Sequence, residues 1–187
     1  MRRRRIGSIV ATSKTCSSLP EVTDADEPQV RERPTARVVL LDPADRVLLM
    51  RGRLPGSAPG GGAWFTIGGG VEPGETPREA AAREIVEETG FREFVLGPLV
   101  WLRTGVLRIP DPALFLESYF IARCAGGEPT RAGWDVLEQT LIDDMRWWSH
   151  AEIAESHERI FPPGLSTLLP PLLAGALPPE PLQIPWD

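Results

Sequence analysis

Runs of hydrophobic residues predict that the first elements of the folded part of the chain are strands. Apolar side chains dominate residues 35–41 and 46–50, and a turn containing Asp and Pro separates the two runs. Continuous apolar runs bounded by turn residues are typical of buried strands in a hairpin. Residues 63–67 form a further short strand, in which Trp64 and Phe65 point to opposite faces. We therefore expect one of these side chains in the core and the other within reach of a pocket.

Strand-like runs continue in the second half of the chain, and two helices follow them. The predicted strands are 94–104, 113–123 and 145–148, with a brief helical turn at 134–140. Ser149, with Glu152 three residues on, predicts a capped helix over residues 149–156. Leucines spaced by three and four residues predict a last helix over residues 165–173, in which two consecutive prolines are expected to cause a kink or a break.

One helix is specified more completely than the others. Thr76 is a good N-cap, Pro77 suits the first helical position, and Glu79 completes a capping box. Gly90 can end the helix in the left-handed conformation that glycine adopts at low cost. The sequence therefore predicts a helix over residues 77–89, directly after a loop that is rich in glycine.

Three carboxylates cluster on this helix. An α-helix advances about 100° per residue, so the side chains of Glu84, Glu87 and Glu88 fall within an arc of roughly 100°. The opposite side, predicted to pack on a sheet, carries Ala82, Ile85, Val86 and Thr89. A solvated charged face is one interpretation. Within the helix, however, only Arg83 stands near enough to neutralise the cluster, and the preceding glycines allow close approach to a ligand, which favours a site for a hard divalent cation.

Residues 69–91 resemble the Nudix box, the signature of the Nudix hydrolase family. The family pattern is Gly, five residues, Glu, seven residues, and then Arg-Glu-apolar-any-Glu-Glu-any-Gly-apolar. The chain matches it without departure at Gly69, Glu75, Arg83, Glu84, Ile85, Glu87, Glu88, Gly90 and Phe91. The order of predicted strands and helices extends the resemblance over residues 34–175. The resemblance implies an α/β fold, namely an α/β/α sandwich with a mixed sheet between helices and the box helix beside the site.

The resemblance also implies a metal-dependent hydrolase that cleaves a pyrophosphate bond in a nucleoside diphosphate linked to another group. It makes Glu87 and Glu88 the principal ligands of Mg²⁺ or Mn²⁺, and Glu84 a further ligand or the base that takes a proton from water. The backbone carbonyl of Gly68 is expected to be an additional ligand. Arg83, counted with the catalytic residues of the box, is expected to pair with Glu75 and to fix the helix against its loop.

Two further sets of candidates lie outside the box. Arg51 and Arg53 follow the second strand and are expected either to hold substrate phosphates or to be ordinary surface charges. Members of the resembled family often add a distal acid from a later loop. Glu138 is the first candidate for it by element order, followed by Asp135 and by Glu117 within a predicted strand.

The two ends of the chain differ in composition from the middle. Residues 1–33 begin with arginines and become Ser/Thr-rich and then acidic, which predicts a disordered N-terminal tail. Residues 176–187 are expected to form a Pro-rich C-terminal tail, so the domain is predicted to span residues 34–175. The N-terminal segment lacks the long apolar run of a signal peptide or a membrane helix. The isolated Cys16 and Cys124 fit a reducing compartment, so we expect a cytoplasmic protein without a membrane partner.

The charge balance and the intact box narrow the possible partners. A formal net charge of −6 argues against a general nucleic-acid or membrane-surface binder. The competing interpretation is a non-catalytic module of the same fold that senses a nucleotide, and the intact acids favour the enzyme. The expected partner is a small-molecule nucleotide, and a homodimer is an open alternative to a monomer. No second motif selects among ADP-ribose, dinucleoside polyphosphates, coenzyme A and modified nucleoside triphosphates as substrate.

Overall fold

The computed structural model describes residues 30–53, 61–108, 112–131 and 141–186, which form one mixed sheet with helices on both faces. The strands are β1 (Arg31–Leu41), β2 (Val47–Gly52), β3 (Ala63–Thr66), β4 (Phe94–Leu107), β5 (Ala113–Cys124), β6 (Ile142–Trp148), β7 (Ile160–Phe161) and β8 (Leu182–Ile184). The helices are α1 (Pro77–Thr89), α2 (His150–Glu155) and α3 (Leu165–Leu173). Each strand and helix predicted within the described ranges is present; the turn predicted at 134–140 lies outside them.

The strand order is β7-β3-β2-β1-β5-β4-β8, with β6 also paired to β2. β1 runs parallel to β5 over its full length, but it pairs with β2 only where Leu41 lies opposite Val47. Beyond this hairpin β2 pairs with β3 and β6 instead, while Ile67 and Gly70 bridge back to β1. The chain that leaves β3 therefore returns to β1, which places the Gly-rich loop 68–70 against that strand.

Alternating side chains of β1 enter two separate cores. Val38 and Leu40 pack against α1, whereas Val39 and Leu41 pack against α2 and α3. The helix residues that fill these cores are Ala80, Ala81 and Ile85 in α1, Ile153 in α2, and Leu165, Leu169 and Leu172 in α3. Because helices cover both faces of a sheet with parallel and antiparallel pairs, the predicted α/β/α sandwich is confirmed. No helix in the described ranges is both long and apolar enough to cross a membrane.

The folded part extends past the predicted limits at both ends. β1 begins at Arg31 and pairs with β5 from that residue, inside the segment 1–33 that was expected to be a tail. β8 lies inside the predicted Pro-rich tail 176–187, pairs with β4 and buries Ile184 in the core. A strand of three residues between prolines has no periodic pattern of its own, so the sequence did not indicate it.

Helix α3 continues through Pro170 and Pro171 up to Leu173. The expected break is absent for two reasons. Buried leucines anchor the helix, and His150 forms the hydrogen bond to a helix carbonyl that Pro170 cannot form. Proline lacks the N–H that would donate to the carbonyl four residues earlier, which is that of Ser166. The ring nitrogen Nε2 of His150 lies 2.7 Å from this Ser166 oxygen and donates to it instead.

Candidate active site

The Gly-rich loop 68–70 is held tightly between β1 and α1. The Ala36 N–H donates to the carbonyl of Gly69 at 2.9 Å, which ties the loop to the strand. Gly68 has a φ of 135°, and a Cβ at this position would overlap the Ala36 carbonyl. A Cβ on Gly69 would overlap the Glu84 carboxylate. Gly68 is therefore required by the close approach of the loop to the strand, and a side chain at position 69 would have to displace the Glu84 carboxylate.

Glu84 and Glu88 lie on the buried side of α1. They are only 6% and 5% exposed, and the buried Ile85 belongs to the same side. Glu88 Oε2 accepts the Gly68 N–H at 2.7 Å. Val86, predicted on the packing side, is only partly buried. The predicted division into an acidic face and a packing face is therefore wrong, because the Gly-rich loop also packs on α1 and its polar backbone can hold carboxylates.

Arg83 joins the acidic cluster to the loop through hydrogen bonds from all of its donor nitrogens. Its Nε and Nη2 bond the two oxygens of Glu75 at 2.9 and 3.0 Å, and Nη2 also bonds Gly70 O at 2.9 Å. Nη1 donates to Glu84 at 2.8 Å and to Glu87 at 2.9 Å. The predicted Arg83–Glu75 pair is confirmed. The pKa of Arg83 is raised above its usual value, chiefly by the hydrogen bond to Glu75.

An open cleft of about 420 Å³ lies over the Gly-rich loop and the buried carboxylates. Glu84, Glu88 and Phe65 line it, whereas Trp64 is buried in the core, as the alternation in β3 predicts. Phe65 also stacks on Phe161, with ring centroids 5.3 Å apart. The cleft therefore combines an acidic wall with an apolar wall.

A buried carboxylate behind this cleft joins two arginines. Glu117 Oε1 accepts from Arg37 Nε at 3.3 Å, and Oε2 accepts from Arg103 Nη1 at 2.8 Å and from the Tyr119 hydroxyl at 3.0 Å. Arg37, which lines the cleft, also donates from Nη1 to the Gly68 carbonyl at 2.9 Å. Desolvation acts to lower the pKa of Arg37, but the charge of Glu117 and further negative groups outweigh it, and the pKa is raised. Arg37 therefore stays a cation.

The family model of the NUDIX domain matches residues 31–167 of the chain. The chain belongs to the NUDIX domain family. The resemblance of residues 69–91 to the Nudix box is thereby confirmed.

Solved structures with the Nudix fold include a Nudix hydrolase from Nitrosomonas europaea and a MutT protein from Methanosarcina mazei Go1. The first is 23% identical with a TM-score of 0.59, and the match covers 79% of this chain and 92% of that one. The second is 19% identical with a TM-score of 0.55, and the match covers 76% of this chain and 94% of that one. At these identities the likeness shows the fold alone.

A curated relative matches a shorter stretch. An octanoyltransferase of Myxococcus xanthus is 50% identical over 50 residues, which are 27% of this chain. The match spans only 13% of the length of that relative. So short a match does not indicate that this chain has the acyl-transfer activity named for that protein.

The two arginines predicted to hold phosphates share one acidic partner. Arg51 Nη1 lies 3.7 Å from one oxygen of Asp143 on β6, and Arg53 Nη2 lies 3.5 Å from the other. Arg53 lines the cleft, whereas Arg51 is connected to Arg53 through their shared partner Asp143. Both remain predictions as phosphate contacts.

The distal acid candidates fall in different places. Glu138 and Asp135 lie outside the described residues. Glu117 is described and only 4% exposed, and it meets the cleft only through Arg37. Arg37 itself was missed by the sequence analysis. The signal that could have found it is an arginine in the middle of the apolar run 35–41.

The side chains of the Nudix box supply carboxylate oxygens, which are the type of ligand that a hard cation prefers. Within the described residues, no group of three or more His, Cys, Asp or Glu side chains converges as a metal site would require. Glu84 and Glu88 nonetheless present carboxylates to one cleft, and a carboxylate can bind a cation while it also accepts hydrogen bonds. The Gly68 carbonyl accepts from Arg37, and Coulomb repulsion from that guanidinium disfavours a metal ion at the same oxygen.

Proposed function

We propose that this Nudix hydrolase cleaves a pyrophosphate bond in a nucleoside diphosphate linked to another group, with Mg²⁺ or Mn²⁺ as cofactor. The observation that carries the proposal is the placement of Glu84 and Glu88 as two buried carboxylates in the wall of an open cleft. Carboxylate oxygens are the ligands that hard divalent cations prefer, and without a bound cation these acids would repel an anionic substrate. A bound divalent cation neutralises phosphate oxygens and lowers the pKa of bound water.

Each acid of the box has a distinct place in this proposal. Glu84 and Glu88 are the residues that would hold the cation from the cleft wall. Glu87, whose side chain is 49% exposed and which shares Arg83 with Glu84, would complete the set from outside the cleft. Glu84 is also a candidate for the base that takes a proton from the attacking water. Arg83 acts through the acids, because its hydrogen bonds to Glu84 and Glu87 fix their orientation.

The cleft also supports a substrate of nucleotide size. A volume of about 420 Å³ lies within the range of roughly 300–1,000 Å³ that is typical of small-molecule sites. Phe65 offers an aromatic wall on which a planar base can stack. Arg53, which lines the cleft and is 59% exposed, would meet the phosphates or the group linked to them. A small nucleotide therefore fits better than a polymer.

The proposal is tested with the purified full chain and a panel of nucleotides. ADP-ribose, dinucleoside polyphosphates, coenzyme A and nucleoside triphosphates are incubated with Mg²⁺ or Mn²⁺, and with excess EDTA, and the products are separated by chromatography. We expect hydrolysis of at least one compound that stops with the chelator. Glu87→Gln and Glu88→Gln should each lower turnover by about a hundredfold or more, equivalent to roughly 2.7 kcal/mol of barrier. Glu93→Gln, an exposed acid beyond α1, is the matched control and should leave turnover unchanged.

The outcomes separate the alternatives. Full activity in excess EDTA would remove the metal from the proposal. Wild-type turnover in both box variants would show that the proposed acids do not act. Tight binding of one nucleotide without hydrolysis would support the non-catalytic sensing module instead.

A further inference from the structure

Arg37 is a cation fixed in the wall of the cleft, outside the residues of the Nudix box. It lies on β1, its side chain is 21% exposed, and it lines the cleft together with Glu84 and Glu88. In the parallel pairing of β1 with β5, Arg37 lies opposite Tyr119. Glu117, which is 80 positions from Arg37 in sequence, lies two residues before Tyr119 on β5. An arginine so deeply placed in an apolar strand needs a partner, and Glu117 supplies it.

Two sides of the Arg37 guanidinium are anchored by the protein. Nε donates to Glu117 and Nη1 donates to Gly68 O, while no hydrogen bond from Nη2 to another described residue is found. A guanidinium has five N–H donors in a fixed planar fork. Because two bonds already hold the plane, little side-chain freedom is lost when a further acceptor binds. The side chain is therefore preorganised to receive an anionic oxygen from the cleft.

The ion pairs behind the cleft leave one guanidinium in its wall. Glu117 is shared by Arg37 and Arg103, so one buried carboxylate faces two guanidinium groups. Arg103 is occupied on its other sides by the carbonyls of Pro185 and Trp186. Arg37 is the member of this trio that lines the cleft. Arg37 therefore presents its guanidinium to the cleft, beside the carboxylates of Glu84 and Glu88.

We propose that Arg37 is a substrate-binding residue that contacts a phosphate oxygen of the diphosphate, with Glu117 as the residue that positions it. This inference rests on the proposed function, because the diphosphate is the anion that the function brings to the cleft. Arg37 supplies positive charge at the Gly68 carbonyl, where its repulsion disfavours a metal ion. Arginine is suited to this task because its planar fork matches the geometry of phosphate oxygens.

The test measures binding of inorganic pyrophosphate in Mg²⁺ by calorimetry, together with KM and kcat for the substrate found in the panel. We expect Arg37→Met to raise the Kd of pyrophosphate and the KM about tenfold or more, with a smaller change in kcat. It should also make the Kd less dependent on salt, since one contact between charges is lost. Arg37→Lys should weaken binding several-fold, because an ammonium keeps the charge but not the fork.

Arg123→Met is the matched control. It removes the same charge from a half-exposed pair with Asp45 on the surface and should change the Kd less than twofold. An unchanged pyrophosphate Kd in folded Arg37→Met overturns the proposal, and so does an equal change in Arg123→Met. If Arg37→Met does not fold, an unchanged Kd in Arg37→Lys overturns it. A wild-type protein that binds pyrophosphate through Arg37 but hydrolyses no nucleotide contradicts the proposed function and leaves this inference standing.

Discussion

At the scale of single residues, the site is organised by arginines as much as by the acids. Arg83 joins Glu75, Glu84, Glu87 and the Gly70 carbonyl, so the repulsion expected among the box acids is balanced within the helix itself. Its partners come from both ends of the box, which explains why the pattern requires an arginine at this position. A lysine has the charge but cannot form the bidentate pair with Glu75.

Arg83→Lys is therefore expected to lower the free energy of unfolding by about 2 kcal/mol, since hydrogen bonds to charged groups contribute about 1.5–3 kcal/mol each and some are retained. Urea denaturation at neutral pH measures this change. Arg123→Lys, which alters a half-exposed pair with a single acid, should stay within about 0.5 kcal/mol. Equal effects of the two substitutions would contradict the organising role of Arg83.

At the scale of elements, α1 is fixed by its own termini before any tertiary contact. Thr76 Oγ1 accepts from the Glu79 N–H, and the Glu79 side chain accepts from Thr76, which is the predicted capping box. Gly90 ends the helix with a φ of 75°, as predicted. A second capping box lies at the start of α2, between Ser149 and Glu152. The caps of α1 fix where this helix begins and ends after the Gly-rich loop.

Thr76→Ala should destabilise the protein by about 1 kcal/mol at neutral pH, the usual contribution of an N-cap. Hydrogen bonds from Thr76 hold the pKa of Glu79 below its usual value. A carboxyl group whose pKa is lower in the folded than in the unfolded protein stabilises the fold at any pH above its unfolded-state pKa. This contribution is lost as the pH falls through the pKa of the folded state. The difference between Thr76→Ala and wild type should therefore narrow below about pH 4.

Urea unfolding at pH 7 and at acidic pH checks this prediction. Thr167→Ala, at an exposed position within α3, is the control and should not destabilise, because alanine is the better helix former. A Thr76→Ala difference that stays constant across the acidic range would rule out the contribution of Glu79.

At the scale of the whole molecule, the C-terminal segment adds the last strand at one edge of the sheet and completes the core on one face. β8 pairs with β4, and Ile184 is 4% exposed whereas Leu182 is 52% exposed. Arg103 donates to the carbonyls of Pro185 and Trp186 and lies 4.1 Å from the Trp186 ring centroid. Because Arg103 also bonds Glu117, the C-terminal segment is connected to the wall of the cleft.

Ile184→Ala should therefore lower the free energy of unfolding by about 3 kcal/mol, the usual cost of truncating a buried aliphatic side chain. Leu182→Ala, two residues earlier at the exposed start of the same strand, should cost less than about 0.5 kcal/mol. Thermal and urea unfolding measure both changes. A similar, small loss for both variants would mean that β8 contributes little to the core.

Deletion of residues 2–29 extends the comparison to the other end of the chain. That segment has few apolar residues to bury, so the melting temperature and turnover should stay nearly unchanged. The deletion stops before Arg31 because β1 pairs with β5 from that residue. A large loss of stability or turnover would show that the segment docks on the domain or on a partner subunit.

The sequence alone determined the features that depend on neighbours along the chain. These are the capped box helix and the apolar runs of the strands, because residues close together in the sequence set both the caps and the hydrophobic pattern. Tertiary structure decided which carboxylates are buried, since Glu84 and Glu88 are covered by a loop that β1 holds in place. It also decided the Arg37–Glu117 pair, whose partners are 80 positions apart and meet only through the parallel register of β1 and β5. Ile184 became a core residue for the same reason, because a strand of three residues acquires its role only from the strand beside it.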